Sequence, residues 1–178
     1  DLWRNIGPFR AGRTVGAVGI PSQPNTFFIG VNNGGVWKTT DAGRTWKPIF
    51  DDAPTGSVGD LAVSESNPNI IYVGSGEGLP LRPDLSVGDG LYKSSDGGKT
   101  WLESPGLRQA KGQLWQPGAG GMGLHTILID PTNPKRIFIA ISAAGAFRSE
   151  DGADHLPVVE GESRHEGELF LARVPVQR

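Results

Sequence analysis

Two carboxyl groups fixed a few ångströms apart can cleave a glycosidic bond, one as acid and the other as base or nucleophile. The stretch Ser75–Asp89 carries three carboxylates, and Glu77 with Asp84 or Asp89 is the pair such chemistry would use. Arg82 lies among them, and Arg13 precedes the first strand-like run. A guanidinium can clamp a carboxylate bidentately. Trp115 offers an apolar face to a sugar or peptide, and Asn32 and Asn33 supply amides. His125 could titrate near neutrality and carry a proton. Each residue also has a plainer role. Glu77, Arg82 and Asp84 can tie a long loop to itself, Asp89-Gly90 fits a turn, Trp115 can anchor its crossover, and His125 can be structural. Glu77, Asp84 and His125 are therefore the catalytic candidates, and Arg13, Asn32, Asn33, Arg82 and Trp115 the ligand-contact candidates.

The scaffold that must hold them is repetitive. Thr39, Asp41, Gly43, Thr45 and Trp46 form one copy of a short pattern, and Ser94, Asp96, Gly98, Thr100 and Trp101 form a second. Ser149 and Asp151 begin a third, which decays where Ala153, His155 and Leu156 replace Gly, Thr and Trp. The aspartates recur every 55 residues. A repeat of about 40–50 residues made of short strands marks a propeller blade. The first repeat reads as strands 14–19, 26–30, 35–39 and 45–50, the second as 59–63, 70–74, 90–94 and 100–104. The third reads as 125–130, 136–141 and 145–149, with a poor fourth strand at 156–160. Prolines at 24, 68 and 134 predict the turn between the first two strands of each repeat.

The predicted fold is an all-β propeller of four-stranded antiparallel blades in one domain over 1–178. Its blades span about 14–50, 59–104 and 125–160, with edge strands at 1–8 and 168–175. Three blades fall short of the usual 4–8, so the ring is expected to be incomplete or a fragment. Its open strand edges invite self-association.

The repeated pattern builds turns. Asp can accept backbone N–H bonds, Gly permits φ > 0, and Trp buries apolar surface between blades. The aspartates are accordingly read as structural. The pattern resembles the Asp-box (bacterial neuraminidase) repeat of sialidases, sortilin-type receptors, xyloglucanase-type glycoside hydrolases and photosystem II assembly factor-like proteins. Residues 1–110, through Trp3–Pro8 and Gly34–Thr39, are similar to bacterial sortilin-like and photosystem-assembly-like propellers. Residues 113–152, through Leu124–Ile127 and Ile141–Arg148, resemble exo-sialidase-like, glycosyl hydrolase-like propellers, which leaves open whether the chain is a mosaic of two relatives. Relatives of this kind are often exported, which the resemblance implies for this chain.

The extra length falls on one end of the repeats. Pro24–Asp41 and Pro134–Asp151 each span 17 residues, but Pro68–Asp96 spans 28. Trp46–Pro68 spans 22, but Trp101–Pro134 spans 33. Both insertions lie opposite the aspartate turns, and insertions on one face mark a binding face. Arg108 and Lys111 belong to that face as well.

The bulk numbers exclude several classes. Among 178 residues, Lys+Arg 17 and Asp+Glu 19 give a net charge of −2, without a basic stretch for nucleic acid. No apolar run is long enough to span a membrane as a helix. With Cys 0 and three scattered His, neither a disulfide nor a metal site is expected, and no cofactor is implied.

The sialidase resemblance implies an arginine cluster, a Tyr–Glu pair and an acidic Asp. Arg10, Arg13 and Arg82 could approach one rim, but Tyr72 and Tyr92 lie inside predicted strands. Xyloglucanase-type relatives place an Asp before the Gly-Gly, where this chain has Asn32. An amide cannot act as a general base. The sequence therefore favours a noncatalytic module that recognises a protein or glycan. A glycoside hydrolase and an assembly factor are the alternatives.

Overall fold

A computed structural model describes residues 12–76, 88–110, 123–142 and 144–156. Three antiparallel sheets follow one another, each a simple meander. Sheet one holds β1 (Arg13–Ile20), β2 (Gln23–Asn32), β3 (Gly35–Thr39) and β4 (Lys47–Pro48). Sheet two holds β5 (Val58–Val63), β6 (Ile71–Ser75), β7 (Leu91–Ser94) and β8 (Leu102–Glu103). A short helix, α1 (Pro105–Ala110), leads toward sheet three: β9 (Leu124–Ile129), β10 (Ile137–Ile141) and β11 (Gly145–Ser149). The sequence did not anticipate α1. Pro105 sits at its first position, where the missing N–H costs nothing. The fourth strand expected at 156–160 and the edge strands at 1–8 and 168–175 fall outside the described residues, apart from Leu156, which is not in a strand.

The sheets pack face to face through their first strands, β5 on β1 and β2, and β9 on β5 and β6. β5 is buried on both sides because apolar residues fill almost every position of Val58–Val63. One core, with Phe28, Phe50, Leu61, Ile71 and Tyr92, lies between sheets one and two. The second, with Tyr72, Leu91, Leu124, Ile139 and Phe147, lies between sheets two and three and also takes in Leu107 of α1. Trp101 of sheet two reaches back to sheet one, edge-on to Phe50 at 4.9 Å with its indole N–H donated to the Ile49 carbonyl. Trp46 holds the same place in sheet one, and its indole N–H meets no acceptor among the described residues.

The three aspartate turns share one geometry. The Thr39 hydroxyl donates to Asp41 at 2.8 Å and accepts the Gly43 N–H at 2.9 Å. Asp41 accepts the Thr45 N–H at 2.8 Å and the Thr45 hydroxyl at 2.6 Å. Ser94 and Asp96 repeat this with Gly98 and Thr100. The third turn does not decay as its sequence suggests. Ser149 binds Asp151 and the Ala153 N–H, and the His155 imidazole stands in for the threonine hydroxyl at 2.6 Å from Asp151. Ala153 adopts φ 76 in the glycine position, and Leu156 is buried where Trp would be. A ring nitrogen and a hydroxyl are interchangeable here because the carboxylate needs only a donor at that point.

One expected turn is misplaced. Asn67-Pro68 and Asn133-Pro134 form matching β-turns, closed by Ile70 N–H to Asn67 O at 2.9 Å and Arg136 N–H to Asn133 O at 2.8 Å. Each Asn side chain accepts the N–H two residues on. In sheet one Gln23 replaces Asn, and its longer side chain is unsuited to that short Asx bond. Here β2 begins at Gln23, which pairs with Ile20, so the reversal moves to Pro21-Ser22.

Hydroxyl and backbone donors hold Asp41 down to about 2 and push Asp96 lower still, and the His155 imidazole, with the Ser149 hydroxyl and the His155 N–H, does the same to Asp151. Depressed carboxylates contribute stability above their unfolded value and lose it as pH falls through the folded one. Urea midpoints should therefore drop between about pH 4 and pH 2. The third turn adds an alkaline limb, because Asp151 raises His155 above 6.5. That contribution is full below the unfolded value and fades as pH rises through the raised one. His155→Thr should flatten the decline above neutrality and keep the acid limb. An unaltered alkaline limb in the variant contradicts this role for His155.

Candidate functional site

Antiparallel order puts all three aspartate turns at one end of the sheets and the β2–β3, β6–β7 and β10–β11 connections at the other. At that second end the β2–β3 hairpin meets the crossover from β4 to β5. Asn33 at φ 55 and Gly35 at φ 70 make the tight reversal. Gly34 N–H closes it onto Val31 O, and Gly35 N–H donates to Gly56 O at 2.9 Å, which ties hairpin to crossover. The buried Trp37 indole braces it from beneath by donating to Gly34 O at 2.8 Å. Between these segments lies a cleft of about 230 Å³ walled by Asn33–Gly35, Phe50, Asp51, Ala53, Thr55 and Gly56. Its side chains offer an amide, a carboxylate and a hydroxyl over an aromatic floor. Such a surface can hydrogen-bond hydroxyl-rich or peptide ligands. A second cavity of about 250 Å³ opens at the turn end between β5 and β9 and has a mostly apolar lining.

The sequence candidates divide on this frame. Asn33 lines the cleft. Asn32 is buried, and its side chain accepts the Ser57 hydroxyl at 3.3 Å, so it braces the crossover. Arg13 begins β1 and is exposed at the same end of the sheets. His125 sits exposed on β9, 3.0 Å from the Thr126 hydroxyl. Glu77, Arg82, Asp84, Lys111 and Trp115 lie outside the described residues. Asp89 is occupied: it accepts the Tyr92 hydroxyl at 2.7 Å and faces Arg108, which also pairs with Glu103. Ser75 completes the knot by accepting the Asp89 and Gly90 N–H groups at 2.6 and 2.7 Å. Burial, with Asp89 adding to it, pushes the Tyr92 phenol well above its ordinary range.

Two carboxylates escaped sequence reasoning. Asp51 follows the last apolar residue of the first repeat, just past the end of its expected fourth strand. Asp60 lies within β5, and its Oδ2 accepts the Ile127 N–H of β9 at 2.7 Å. Burial raises its pKa, and the backbone N–H groups of Ile127 and Leu61 that bond it oppose the rise. An acid interrupting an apolar strand was the available signal. Among the described residues no three acidic or imidazole groups gather as metal ligands, and no helix is long and apolar enough to cross a membrane.

No protein-family model matches the chain. Over 90 residues it is 32% identical to a probable oligoxyloglucan-reducing end-specific xyloglucanase of Neosartorya fischeri, covering 48% of this chain and 10% of that protein. Over 170 residues it is 27% identical to a xyloglucanase of Paenibacillus sp, covering 80% and 16% respectively. The chain thus spans only a small part of the curated relatives it matches. Among solved structures it is similar to an ancestral GH74 enzyme, with TM-score 0.61 and 21% identity over 88% of this chain and 19% of that one. It is also similar to YCF48 from Cyanidioschyzon merolae, with TM-score 0.56 and 17% identity over 86% and 39%. A structure of YCF48 bound to D1 peptide matches with TM-score 0.53 and 16% identity over 82% and 40%. These likenesses give the chain a β-propeller fold.

Proposed function

We propose that this propeller segment is a noncatalytic binding module that holds a glycan strand at the end opposite its aspartate turns. The observation that carries the reading is the polar cleft between the β2–β3 hairpin and the β4–β5 crossover. The xyloglucanases among its relatives favour a β-glucan of the xyloglucan class as ligand. Asn33 and Asp51 would bond sugar hydroxyls, and the backbone tie from Gly35 to Gly56 would fix the spacing of the two walls. Binding without cleavage is favoured because Asp51 is the single carboxylate lining the described cleft, whereas hydrolysis needs two positioned carboxyl groups. A glycoside hydrolase remains the alternative, with Glu77 and Asp84 as the carboxylates the sequence offers for it.

Titration calorimetry with xyloglucan oligosaccharides tests the proposal, run beside a reducing-sugar assay. Binding should be saturable, and Asn33→Ala and Asp51→Ala should each weaken it about 10-fold, the loss of one good hydrogen bond. Hydrolysis that disappears in Glu77→Gln would replace the binding reading with the enzymatic one. A second reading, a grip on an extended peptide, draws on the fold shared with peptide-bound YCF48. Signal on peptide arrays with none from the oligosaccharides would select it.

A further inference from the structure

Two charged side chains stand exposed at the binding end beyond the cleft. Asp89 lies between β6 and β7, and Arg108 in α1, at the roots of the two insertions. Those roots meet: a Cβ on Gly76 would stand 2.8 Å from Gly123 Cα and 2.9 Å from Gly88 Cα. Asp89 is held from three sides. Its N–H donates to the Ser75 hydroxyl at 2.6 Å, its Oδ2 accepts the Tyr92 hydroxyl at 2.7 Å, and its carbonyl accepts Arg108 Nη2 at 3.2 Å. Arg108 is held by Glu103 at Nε. Beneath them the Tyr92 ring meets Phe50, the floor of the cleft, edge-on at 5.5 Å. The cleft and this pair therefore share one buried support.

Between them Asp89 Oδ1 and Arg108 Nη2 lie 3.4 Å apart, with 44% and 58% of their side chains exposed. That is long for a hydrogen bond, and an exposed pair adds little to stability. Among the described residues Arg108 Nη1 meets no acceptor. A carboxylate that accepts and a guanidinium that donates thus stand side by side in solvent, on a support that fixes both. Adjacent ring hydroxyls of a pyranose lie about one hydrogen-bond length apart, and each can donate and accept. One can donate to Asp89 Oδ1 while its neighbour accepts from Arg108. Two carboxylates, Asp89 and Glu103, already face the one guanidinium, so no positive charge is left over for an anionic ligand.

We infer that Asp89 and Arg108 form a second subsite, which grips a vicinal diol of the neutral glycan strand whose other part lies in the cleft. This rests on the glycan reading of the cleft and adds that the strand crosses from sheet one to sheet two. Ser75, Tyr92 and Glu103 hold the two side chains in place beforehand, so little side-chain freedom is lost on binding.

Titration calorimetry with a xyloglucan heptasaccharide and with a xylosyl-glucose disaccharide separates the two subsites, because only the longer ligand can reach both. Arg108→Ala should weaken the heptasaccharide about 10-fold, the loss of a charge-assisted bond at an exposed site, and the disaccharide much less. Asn33→Ala should weaken both. In the unaltered chain the Arg108 Nε–H resonance should move as the heptasaccharide is added and stay in place with the disaccharide. No heat from either ligand would remove the glycan reading and the subsite together. Heptasaccharide binding that depends on Asn33 but not on Arg108, with the Arg108 resonance unmoved, would leave the cleft standing and overturn the subsite. Equal losses for both ligands in Arg108→Ala would mark Arg108 as structural and overturn it too. So would tighter binding of an oligogalacturonate than of the heptasaccharide, since a guanidinium with charge to spare prefers the anionic chain.

Discussion

Phe50→Ala is expected to lower the unfolding free energy by about 3–5 kcal/mol, the range for a buried aromatic truncated in a close-packed core. Phe50 is 1% exposed and ends the first repeat at the seam between two sheets. Its ring meets Trp101 at 4.9 Å and Tyr92 at 5.5 Å, both edge-on, and both belong to sheet two. Truncation thus removes its own buried area and two aromatic contacts, and it leaves a void that the flanking strands cannot fill without breaking register. Trp101→Ala should cost less, because the indole is only half-buried. Chemical denaturation of both variants measures the difference. An equal or smaller loss in Phe50→Ala would mean that the seam is not packed as described.

Gly59→Ala should be the second large effect, about 3 kcal/mol, at the upper end for overpacking. A Cβ there would overlap the Leu124 carbonyl oxygen and stand 2.8 Å from Gly76 O. Both obstacles are backbone, one in β9 of sheet three and one just past β6 in sheet two, so relief requires main-chain shifts that include separating β5 from β9. For Gly74→Ala the three nearest atoms all belong to the Leu124 side chain, which can rotate in part, and the cost should be smaller. Gly56→Ala meets nothing within 4 Å and serves as the neutral control. Equal midpoints for Gly56→Ala and Gly59→Ala would refute the close approach of β5 and β9.

These glycines show why the strands were legible and their packing was not. Val58–Val63 or Ile137–Ile141 is an apolar run bounded by turn residues, and such a signal is local. The structure places those strands within a residue or two of expectation. The misplaced turn was local too, but it hung on one methylene between Gln23 and Asn67. The third aspartate turn looked degraded because His155 and Ala153 break the letter pattern. The geometry asks only for a donor and a left-handed residue, and both are present. Contacts between sheets leave no spacing signal. Nothing adjacent to Lys93 announces that it reaches Gly152, or that Asp60 caps the Ile127 N–H.

The candidate site was legible in the sequence only as an end of the sheets. Unequal spacings drew attention to the end opposite the turns, but the two insertions fall largely outside the described residues, and the cleft beside Asn33 is built at that end by the first repeat, which has no insertion. The sequence did not separate Asn33 from Asn32, because only the fold turns one amide outward and the other onto Ser57. Asp51 was missed because a carboxylate in a crossover has no pattern until the hairpin facing it is known.

Amide chemical-shift mapping during titration with a xyloglucan oligosaccharide tests the placement of the binding end most directly. The account predicts progressive shifts at Asn33, Gly34, Gly35, Thr55 and Gly56, with the amides of Asp41–Thr45 and Asp96–Thr100 unmoved. Shifts confined to those turns, or no shifts at saturating ligand, would contradict it.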